Sequence, residues 1–332
     1  MAGSVPPMVH LCERPVSAMS ASAQIEIGPV TLRPLVRERV WGSQTLPAWL
    51  PAPEKDKPIG EAWLTAGECL IDTATSHGAT FTELISRSPA QFSTSSSAPD
   101  FPLLIKLLFP HEKLSVQVHP DDALAHTLGQ PRGKTECWYV LSADPGASVM
   151  VGFAEQMSPA QVREAIAAGK LEQKLRSIPV KAGDMVYIPA GTVHAIGPGM
   201  MLLEVQQTSD ITYRLFDYGR PRELHIEAGL AATKTSTEAG VVAPVQMAGF
   251  TRLIASPYFV IDRFAAATES TPLGKPGELQ ILIALDEGCF LECSKGTALP
   301  LLPGRAVILP SEPVVYNLRS AFGSNIIRIA EK

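Results

Sequence analysis

"GDMVYIPAGTVHAI", residues 183–196, consists of a turn, a strand, a second turn and the beginning of another strand. Gly183 precedes a run of aliphatic and aromatic residues, the composition typical of a β-strand. The tripeptide PAG (189–191) interrupts that run, and His194 lies where the next apolar segment begins. The stretch therefore predicts two β-strands joined by a tight turn, with an imidazole close to the turn.

A second stretch repeats this pattern near the end of the chain. "GRAVILPSEPVVYNL" (304–318) has a turn glycine, an apolar strand, a proline six residues after the glycine, and a second apolar strand. When Gly183 is aligned with Gly304, the prolines also align, and His194 falls on Val315. The scaffold is repeated without the histidine. We therefore predict two related β units, with chemistry in the first unit only.

Most of the remaining chain also has the pattern of short β-strands. The candidate segments are rich in β-branched or aromatic residues and are separated by Gly, Pro or Asp. They are residues 113–120, 136–143, 147–153, 184–190, 201–207, 258–264 and 279–285. Many short strands separated by turn signals predict a sandwich or a closed barrel.

Few segments have the pattern of helices. In 158–170, Ser158 is a suitable N-cap and Pro159 suits the first helical position. The segment 80–88 has a weaker helical pattern. Residues 86–100 are rich in Ser and Pro and predict a loop.

The composition excludes several classes of function. The 332 residues are 45% hydrophobic, which is enough for two domain-sized cores. The net charge is −5 and only 18% of residues are charged, so no basic stripe indicates nucleic acid as a partner. The apolar runs are much shorter than the roughly 20 residues needed to cross a bilayer, so we predict no membrane association.

The N-terminus and the cysteines bear on the cellular compartment. Residues 1–24 have neither a basic start nor an unbroken apolar core, so we interpret them as a flexible lead-in and not as a secretion signal. The five cysteines are scattered and include no CxxC pair. This pattern argues against a disulfide framework and against a thiolate zinc site. We therefore predict a cytoplasmic protein.

Four polar residues have the types and spacing of metal ligands. In "SVQVHPDD" (115–122), Gln117 and His119 are two residues apart, so on a strand both face the same side. Glu136 begins another predicted strand, and His194 follows the PAG turn. Two imidazoles, a carboxylate and an amide oxygen suit Zn²⁺. Fe²⁺, Mn²⁺ and Co²⁺ are alternatives, because these ligands do not select sharply among divalent cations.

These residues carry a resemblance to a known family. "GDMVYIPAGTVH" resembles the second cupin motif, and "QVH" followed by Glu136 resembles the first motif with Gln in place of its first His. Longer segments closely resemble the type I mannose-6-phosphate isomerases, in their short bacterial form. The likeness covers roughly residues 25 to 332, and the segments that carry it are 39–43, 59–67, 102–122, 133–141, 188–197 and 209–220.

The resemblance implies a fold and an activity. The implied fold is mainly β, with two cupin (jelly-roll) β-barrels and a few short helices. After the lead-in, a catalytic metal-binding domain with a helical insertion would span residues 25–235, and a degenerate second cupin domain residues 236–332. The implied enzyme is cytoplasmic, zinc-dependent, and a monomer or homodimer. It interconverts the sugar phosphates mannose 6-phosphate and fructose 6-phosphate through an enediol.

The resemblance also assigns site residues by motif position. The implied metal ligands are Gln117, His119, Glu136 and His194. The implied catalytic residues are Arg214, Lys134 and Asp210, and the implied substrate-binding residues are Lys106, Ser115, Lys134 and Arg214. The chain departs from the family at Gly133, where longer members carry a histidine, so a proton-transfer role for that histidine does not apply here.

The residues leave the proton-transfer chemistry and the reaction class open. Arg214 is a poor base because a guanidinium stays protonated, and it is better suited to hold the phosphate or the enediolate charge. Asp210, Lys134 or a metal-bound water could be the base. A metal-dependent cupin oxygenase would use the same two histidines and carboxylate. A cupin that binds sugar phosphate without turnover is the third hypothesis.

Overall fold

The computed structural model describes residues 28–73, 77–92, 100–265, 269–273, 277–293, 298–321 and 323–332, so the predicted lead-in lies outside the described residues. The strands are β1 (Val30–Leu32), β2 (Leu35–Ser43), β3 (Ile59–Trp63), β4 (Leu103–Leu108), β5 (Val116–Val118), β6 (Glu136–Ala143), β7 (Ser148–Phe153), β8 (Leu175–Pro179), β9 (Met185–Ile188), β10 (His194–Ile196), β11 (Met200–Gln207), β12 (Tyr213–Phe216), β13 (Gly240–Val242), β14 (Val245–Gln246), β15 (Thr251–Ala255), β16 (Phe259–Ala265), β17 (Thr271–Pro272), β18 (Gln280–Ala284), β19 (Cys289–Cys293), β20 (Leu299–Leu301), β21 (Ala306–Leu309), β22 (Tyr316–Ser320) and β23 (Asn325–Glu331). The helices are α1 (Phe81–Arg87), α2 (Pro89–Phe92), α3 (Asp122–Thr127), α4 (Pro159–Ala167) and α5 (Ile226–Ala232).

The strands form two units, each made of a large and a small antiparallel sheet. The first unit has a seven-stranded sheet, β13-β9-β6-β11-β4-β3-β2, and a five-stranded sheet, β12-β5-β10-β7-β8. The second unit has a seven-stranded sheet, β1-β21-β18-β23-β16-β15-β14, and a four-stranded sheet, β17-β22-β19-β20. The predicted fold class, mainly β with a few short helices, is confirmed. The exact domain boundaries stay a prediction.

The two units have the same internal order. The central strands β9-β6-β11-β4 of the first large sheet correspond in order to β21-β18-β23-β16 of the second. Gly183 and Gly304 precede the corresponding strands β9 and β21, and both have positive φ, 91° and 73°. This left-handed conformation favours glycine at both turns. The repeat seen in two short sequence segments therefore extends to whole sheets.

The two large sheets pack against each other, and each also faces its own small sheet. Along β6, Cys137 and Tyr139 face the core between the large sheets, whereas Trp138 and Val140 face the interior of the first unit. This alternation is the period of two expected of a strand buried on both faces. The core between the large sheets contains Ile105, Cys137 and Val205 from the first unit and Ile261, Ile281 and Ile329 from the second.

The helices lie outside these sheets. Helices α4 and α5 cover the outer face of the five-stranded sheet, where Val162 and Ala232 pack with Val116 and Val118. Ser158 caps α4, as the sequence predicts, by accepting a hydrogen bond from the Gln161 backbone N–H. In the described residues, no helix is long and apolar enough to cross a membrane.

The predicted loop at 86–100 is wrong in one part. Residues Pro89–Phe92 form the short helix α2, and residues 93–99 lie outside the described residues. Phe92 is fully buried, and its ring packs edge-on against Phe81 of α1 with the ring centroids 5.8 Å apart. This tertiary contact stabilises a helical turn that the local Ser- and Pro-rich composition does not reveal.

Candidate metal centre and active site

Three predicted site residues form a row across the five-stranded sheet. Strand β5 lies between β10 and β12. His194 on β10 lies opposite Gln117 on one side of β5, and Arg214 on β12 lies opposite the same residue on the other side. Directly opposite residues in antiparallel strands point to the same face. The flanking residues Val116 and Val118 pack on the helix-covered face, so the row faces the interior of the first unit.

Glu136 reaches the same interior from the facing large sheet. Its Oε1 lies 3.3 Å from His194 Nε2, and its Oε2 lies 3.5 Å from His119 Nε2. His119 follows the last residue of β5, and all three side chains are almost completely buried. One ligand atom from each residue lies within 4.8 Å of the others. Ligands about 2.1 Å from a tetrahedral ion lie about 3.4 Å apart, so the observed spacing suits a small divalent cation.

Backbone carbonyls orient both imidazoles. His119 Nδ1 hydrogen-bonds to the Ile211 carbonyl at 2.8 Å, and His194 Nδ1 to the Thr192 carbonyl at 2.9 Å. A proton on Nδ1 leaves the Nε2 lone pair pointing at the cluster, as in metal-binding histidines. Burial lowers the pKa of His119 to about 4 and also lowers the pKa of His194. Both rings are therefore neutral near pH 7, the form that binds a metal.

The carboxylate of Glu136 has an unsatisfied oxygen. Oε1 is buried and receives no hydrogen bond from the described residues, which is costly unless a cation or another donor compensates it. Burial would raise the pKa of Glu136, but the charge of Lys134 and the neighbouring imidazoles hold it well below its usual range. The carboxylate is therefore ionised at neutral pH. This donor set fits a divalent metal.

Gln117 and Lys134 complete the cluster. Gln117 Nε2 lies 3.3 Å from His194 Nε2, so a rotation of the amide would turn its oxygen toward a metal. Ser115 Oγ donates to Gln117 Oε1 at 3.3 Å and could equally accept from the rotated amide. Lys134 Nζ lies 2.5 Å from Glu136 Oε2 and 3.1 Å from His119 Nε2. Its ammonium group is therefore stabilised by the Glu136 carboxylate and the His119 ring nitrogen.

A second polar cluster lies on the inner face of the large sheet. Lys106 Nζ donates to Gln206 Oε1 at 2.7 Å and lies 3.2 Å from Glu204 Oε2. Burial would lower the pKa of Lys106, but Glu204 and other carboxylates raise it. Glu204 and Gln206 are residues of this cluster that were not predicted from the sequence. Their signal was Glu204 and Gln206 at alternate positions, followed by Gln207, in the otherwise apolar segment 201–207.

Arg214 lies in the row with Gln117 but outside both clusters. Asp210 is the other predicted residue that the structure does not bring into the clusters. It is exposed, and its influence on them is to raise the pKa of Lys106 through its charge. It lines a cavity of about 600 Å³ with Trp63 and Arg132. The Trp63 ring centroid lies 5.3 Å from Lys106 Nζ, so this cavity adjoins the polar cluster.

Known proteins match the chain over most of its length. The family described as phosphomannose isomerase type I, catalytic domain, matches residues 30–140. The mannose-6-phosphate isomerase of Streptococcus mutans is 39% identical over 249 residues, covering 71% of this chain and 78% of that protein. The mannose-6-phosphate isomerase ManA of Bacillus subtilis is 33% identical over 302 residues, covering 85% of this chain and 93% of that protein. The chain belongs to the type I phosphomannose isomerase family.

A solved structure agrees with this membership. The mannose 6-phosphate isomerase of Bacillus subtilis has a TM-score of 0.81 and 28% identity to this chain, and the match covers 91% of this chain and 99% of that one. The resemblance read from the sequence is therefore confirmed, as is its assignment to an isomerase family.

The glycine at position 133 has a structural reason. A Cβ atom at Gly133 would lie 2.5 to 2.6 Å from backbone atoms of Pro120, Asp121 and Asp122. Cβ atoms in proteins essentially never come this close to other heavy atoms, so a side chain at this position would displace the backbone. The Gly133 N–H donates to Asp122 Oδ1 at 2.7 Å, and the Lys134 N–H donates to the Pro120 carbonyl at 3.0 Å. The loop before Lys134 therefore packs tightly on the segment after His119.

Asp122 connects this loop to the second unit. Besides Gly133, it accepts hydrogen bonds from Gln207 Nε2 at 3.0 Å and from Tyr258 Oη at 2.8 Å. We expect Asp122→Ala to lower the free energy of unfolding by about 1–3 kcal/mol, because three donors lose their acceptor. Tyr258→Phe removes one of the three bonds and should cost less. Urea unfolding of both variants measures these losses.

Asp122 also gives the stability a pH dependence. Burial would raise the pKa of Asp122, but the bonds from Gly133, Tyr258 and Gln207 lower it overall. A lowered folded-state pKa gives stability that is present above about pH 4, the unfolded value, and is lost as pH falls through the folded value. The difference between wild type and Asp122→Asn should therefore shrink between pH 5 and pH 3. An unchanged difference across that range would contradict the assignment.

Proposed function

We propose that the protein interconverts mannose 6-phosphate and fructose 6-phosphate in the cytoplasm, using one divalent metal ion, Zn²⁺ in the first instance. The buried His119–Glu136–His194 cluster, with its unsatisfied carboxylate oxygen, is the observation that carries this proposal. The substrate is supported by the names of the relatives. The compartment is supported by the free thiols of the four described cysteines.

The reaction moves a proton between two neighbouring carbons. A base removes the proton from C2 of the aldose, the C–H electron pair forms the C1=C2 bond of an enediol, and O1 gains a proton. A proton is then delivered to C1, while the O2 hydroxyl loses its proton and C2 becomes the carbonyl. A bound divalent ion would stabilise negative charge on the sugar oxygens.

We assign the proton transfer to Lys134 and Asp210. The Lys134 ammonium touches the metal-site carboxylate, and the Asp210 carboxylate lies in the wall of the adjoining cavity. The base is identified by the variant that loses exchange of the C2 hydrogen. Loss in Asp210→Asn with retention in Lys134→Gln assigns the base to Asp210, and the reverse result assigns it to Lys134.

The remaining cations are proposed to hold the phosphate or the enediolate. Two of the three Lys106 ammonium hydrogens face Gln206 and Glu204, so one hydrogen is available for a substrate oxygen. The Ser115 hydroxyl donates a hydrogen bond to Gln117, a proposed metal ligand, so it lies next to the proposed metal site. Arg214 supplies a planar fork that suits a phosphate.

Chelation tests the metal dependence. We expect the purified protein to convert mannose 6-phosphate, to lose turnover after chelation, and to recover it when Zn²⁺, Mn²⁺, Co²⁺ or Fe²⁺ is added back separately. The expected loss is large, because a bound metal would stabilise charge that develops only during the reaction. A folded, metal-loaded protein without turnover would contradict the proposal. Oxygen consumption with Fe²⁺ would then support the oxygenase hypothesis, and binding without conversion the sugar-phosphate-binding one.

A further inference from the structure

The second unit repeats the first unit residue by residue across its large sheet. In the first unit, consecutive strand pairs align one row of residues. In the second unit, the corresponding strand pairs align another. The first row is Trp63, Lys106, Glu204, Trp138 and Val186, and the second is Arg252, Asp262, Arg328, Leu282 and Val307. Val186 and Val307 are also paired by the sequence alignment of Gly183 with Gly304, so two independent observations give the same register.

At the positions equivalent to Glu136 and His194, the second unit does not have metal-binding residues. Glu136 pairs with Ile188, and its equivalent Gln280 pairs with Leu309, the residue that aligns with Ile188. His194 aligns with Val315. An amide and an alkyl group in place of the carboxylate and the imidazole do not form the donor set of a divalent metal site.

The same correspondence reverses the charges of the polar cluster. Arg328 stands where the first unit has Glu204, and Asp262 stands where it has Lys106. Arg252 takes the place of Trp63 and adds a second guanidinium. The cluster of one lysine and one glutamate thus becomes two arginines that share one aspartate.

These arginines line a cavity of about 670 Å³. Asp262 is fully buried and accepts hydrogen bonds from both guanidinium groups, so it holds them side by side. Both guanidinium carbons lie 5.6 Å from the Phe250 ring centroid, and that of Arg328 lies 5.4 Å from Phe264. Because one carboxylate faces two guanidinium groups, this inner wall carries an excess positive charge.

The free guanidinium donors of the cavity suit an anion. The Nη1 group of each arginine makes no hydrogen bond within the described residues, so each fork keeps donors for a ligand. Lys332 also lines the cavity. The carboxylates of Glu278 and Glu331 also line the cavity. Glu278 and Lys332 are both exposed, so solvent screens both of these charges, whereas Glu331 is half-buried.

We propose that this arginine cavity of the second unit binds a phosphate group, either inorganic phosphate or the phosphate of a small sugar phosphate. Paired guanidinium forks over aromatic rings match the geometry and charge of a phosphate. This site goes beyond the proposed function, because it contains neither the metal cluster nor any residue of the proposed reaction.

Two variants of the full chain test the site. Arg252→Gln removes one fork while Arg328 still pairs with Asp262, and Ala330→Phe fills the cavity from the strand position that corresponds to Gln206. Arg319→Gln is the matched control, because Arg319 pairs with Glu292 on the small sheet and does not line the cavity. Circular dichroism and thermal unfolding show whether each variant is folded.

The measurement is equilibrium dialysis with labelled inorganic phosphate and, separately, with fructose 6-phosphate. We expect wild type and Arg319→Gln to bind one equivalent of probe that Ala330→Phe does not bind and that Arg252→Gln binds roughly tenfold more weakly, as expected for a lost charged hydrogen bond. A loss seen for phosphate but not for fructose 6-phosphate identifies the ligand as inorganic phosphate. A loss seen for both probes identifies a site that also accepts sugar phosphates.

Identical binding of both probes to wild type and to both cavity variants would overturn the proposal. The result does not depend on isomerase activity, because it counts bound phosphate. If the wild-type protein has no turnover but binds one equivalent of phosphate more than Ala330→Phe does, the phosphate cavity is supported and the proposed function is contradicted. If instead the wild-type protein has normal isomerase activity and the cavity variants bind phosphate as wild type does, the proposed function is supported and the phosphate cavity is contradicted.

Discussion

Replacing His194 with alanine is expected to remove the bound metal and the isomerase activity together. His194 is completely buried, its Nε2 lies 3.3 Å from Glu136 Oε1, and the Thr192 carbonyl fixes its orientation. Loss of a group that only orients a metal ligand costs about 10- to 100-fold in affinity or activity, so loss of a proposed ligand should cost at least ~100-fold. Metal analysis and turnover of mannose 6-phosphate measure the two effects on the same preparation.

A matched control separates ligand loss from general damage. His126 is exposed on α3, and its Nε2 hydrogen-bonds to the Pro131 carbonyl, away from the metal cluster, so His126→Ala should keep full metal content and turnover. His194→Gln provides a second test, because it keeps a buried polar group of similar reach. Stoichiometric zinc and normal turnover in His194→Ala would remove His194 from the ligand set.

The sequence predicts those features of the fold and site that depend on local patterns. Alternation identifies the strands, and a capping residue identifies the start of α4. Likewise, two polar residues two apart predict that Gln117 and His119 share a face. The PAG turn places His194 at the beginning of a strand that pairs with β5. These signals lie within a few residues of one another, so no knowledge of distant contacts is needed.

The sequence does not predict features that depend on distant strand pairing. The contact of Lys106 with Glu204 exists because β4 pairs with β11 in one register, and a shift of one residue would turn either side chain to the other face. The bond from Tyr258 to Asp122 joins residues 136 positions apart. Strand β1 joins the sheet of the second unit through β21, far along the chain. Tertiary packing decides all three features.

The charge reversal in the second unit also becomes visible only through register. The segments "YFVIDRF" (258–264) and "LLIKLL" (103–108) have little sequence in common, yet Asp262 and Lys106 hold equivalent positions. The alignment of Gly183 with Gly304 covers only β9 and β10 and their counterparts β21 and β22, so it does not reach these residues. Strand order and pairing extend the repeat to them.

Arg214→Ala is expected to lower kcat/KM strongly while leaving the metal content unchanged. Arg214 lies opposite Gln117 in the same row as His194, about two strand spacings, or ~10 Å, from His194 along the sheet. Its Nε is buried and has no hydrogen-bond partner among the described residues, and one Nη group donates to the Glu223 carbonyl. Removing a donor that stabilises charge in the transition state typically lowers kcat by about 10²- to 10³-fold.

The kinetic signature distinguishes the two roles proposed for Arg214. If its guanidinium holds the phosphate in substrate and transition state alike, KM rises and kcat changes little. If it stabilises the enediolate charge, kcat falls and KM changes little. Arg214→Lys keeps the charge but loses the planar fork, so partial rescue indicates that charge suffices. Arg163→Ala, which breaks an exposed pair with Glu227, is the control and should retain full turnover. Near-normal kcat and KM in Arg214→Ala would exclude both roles.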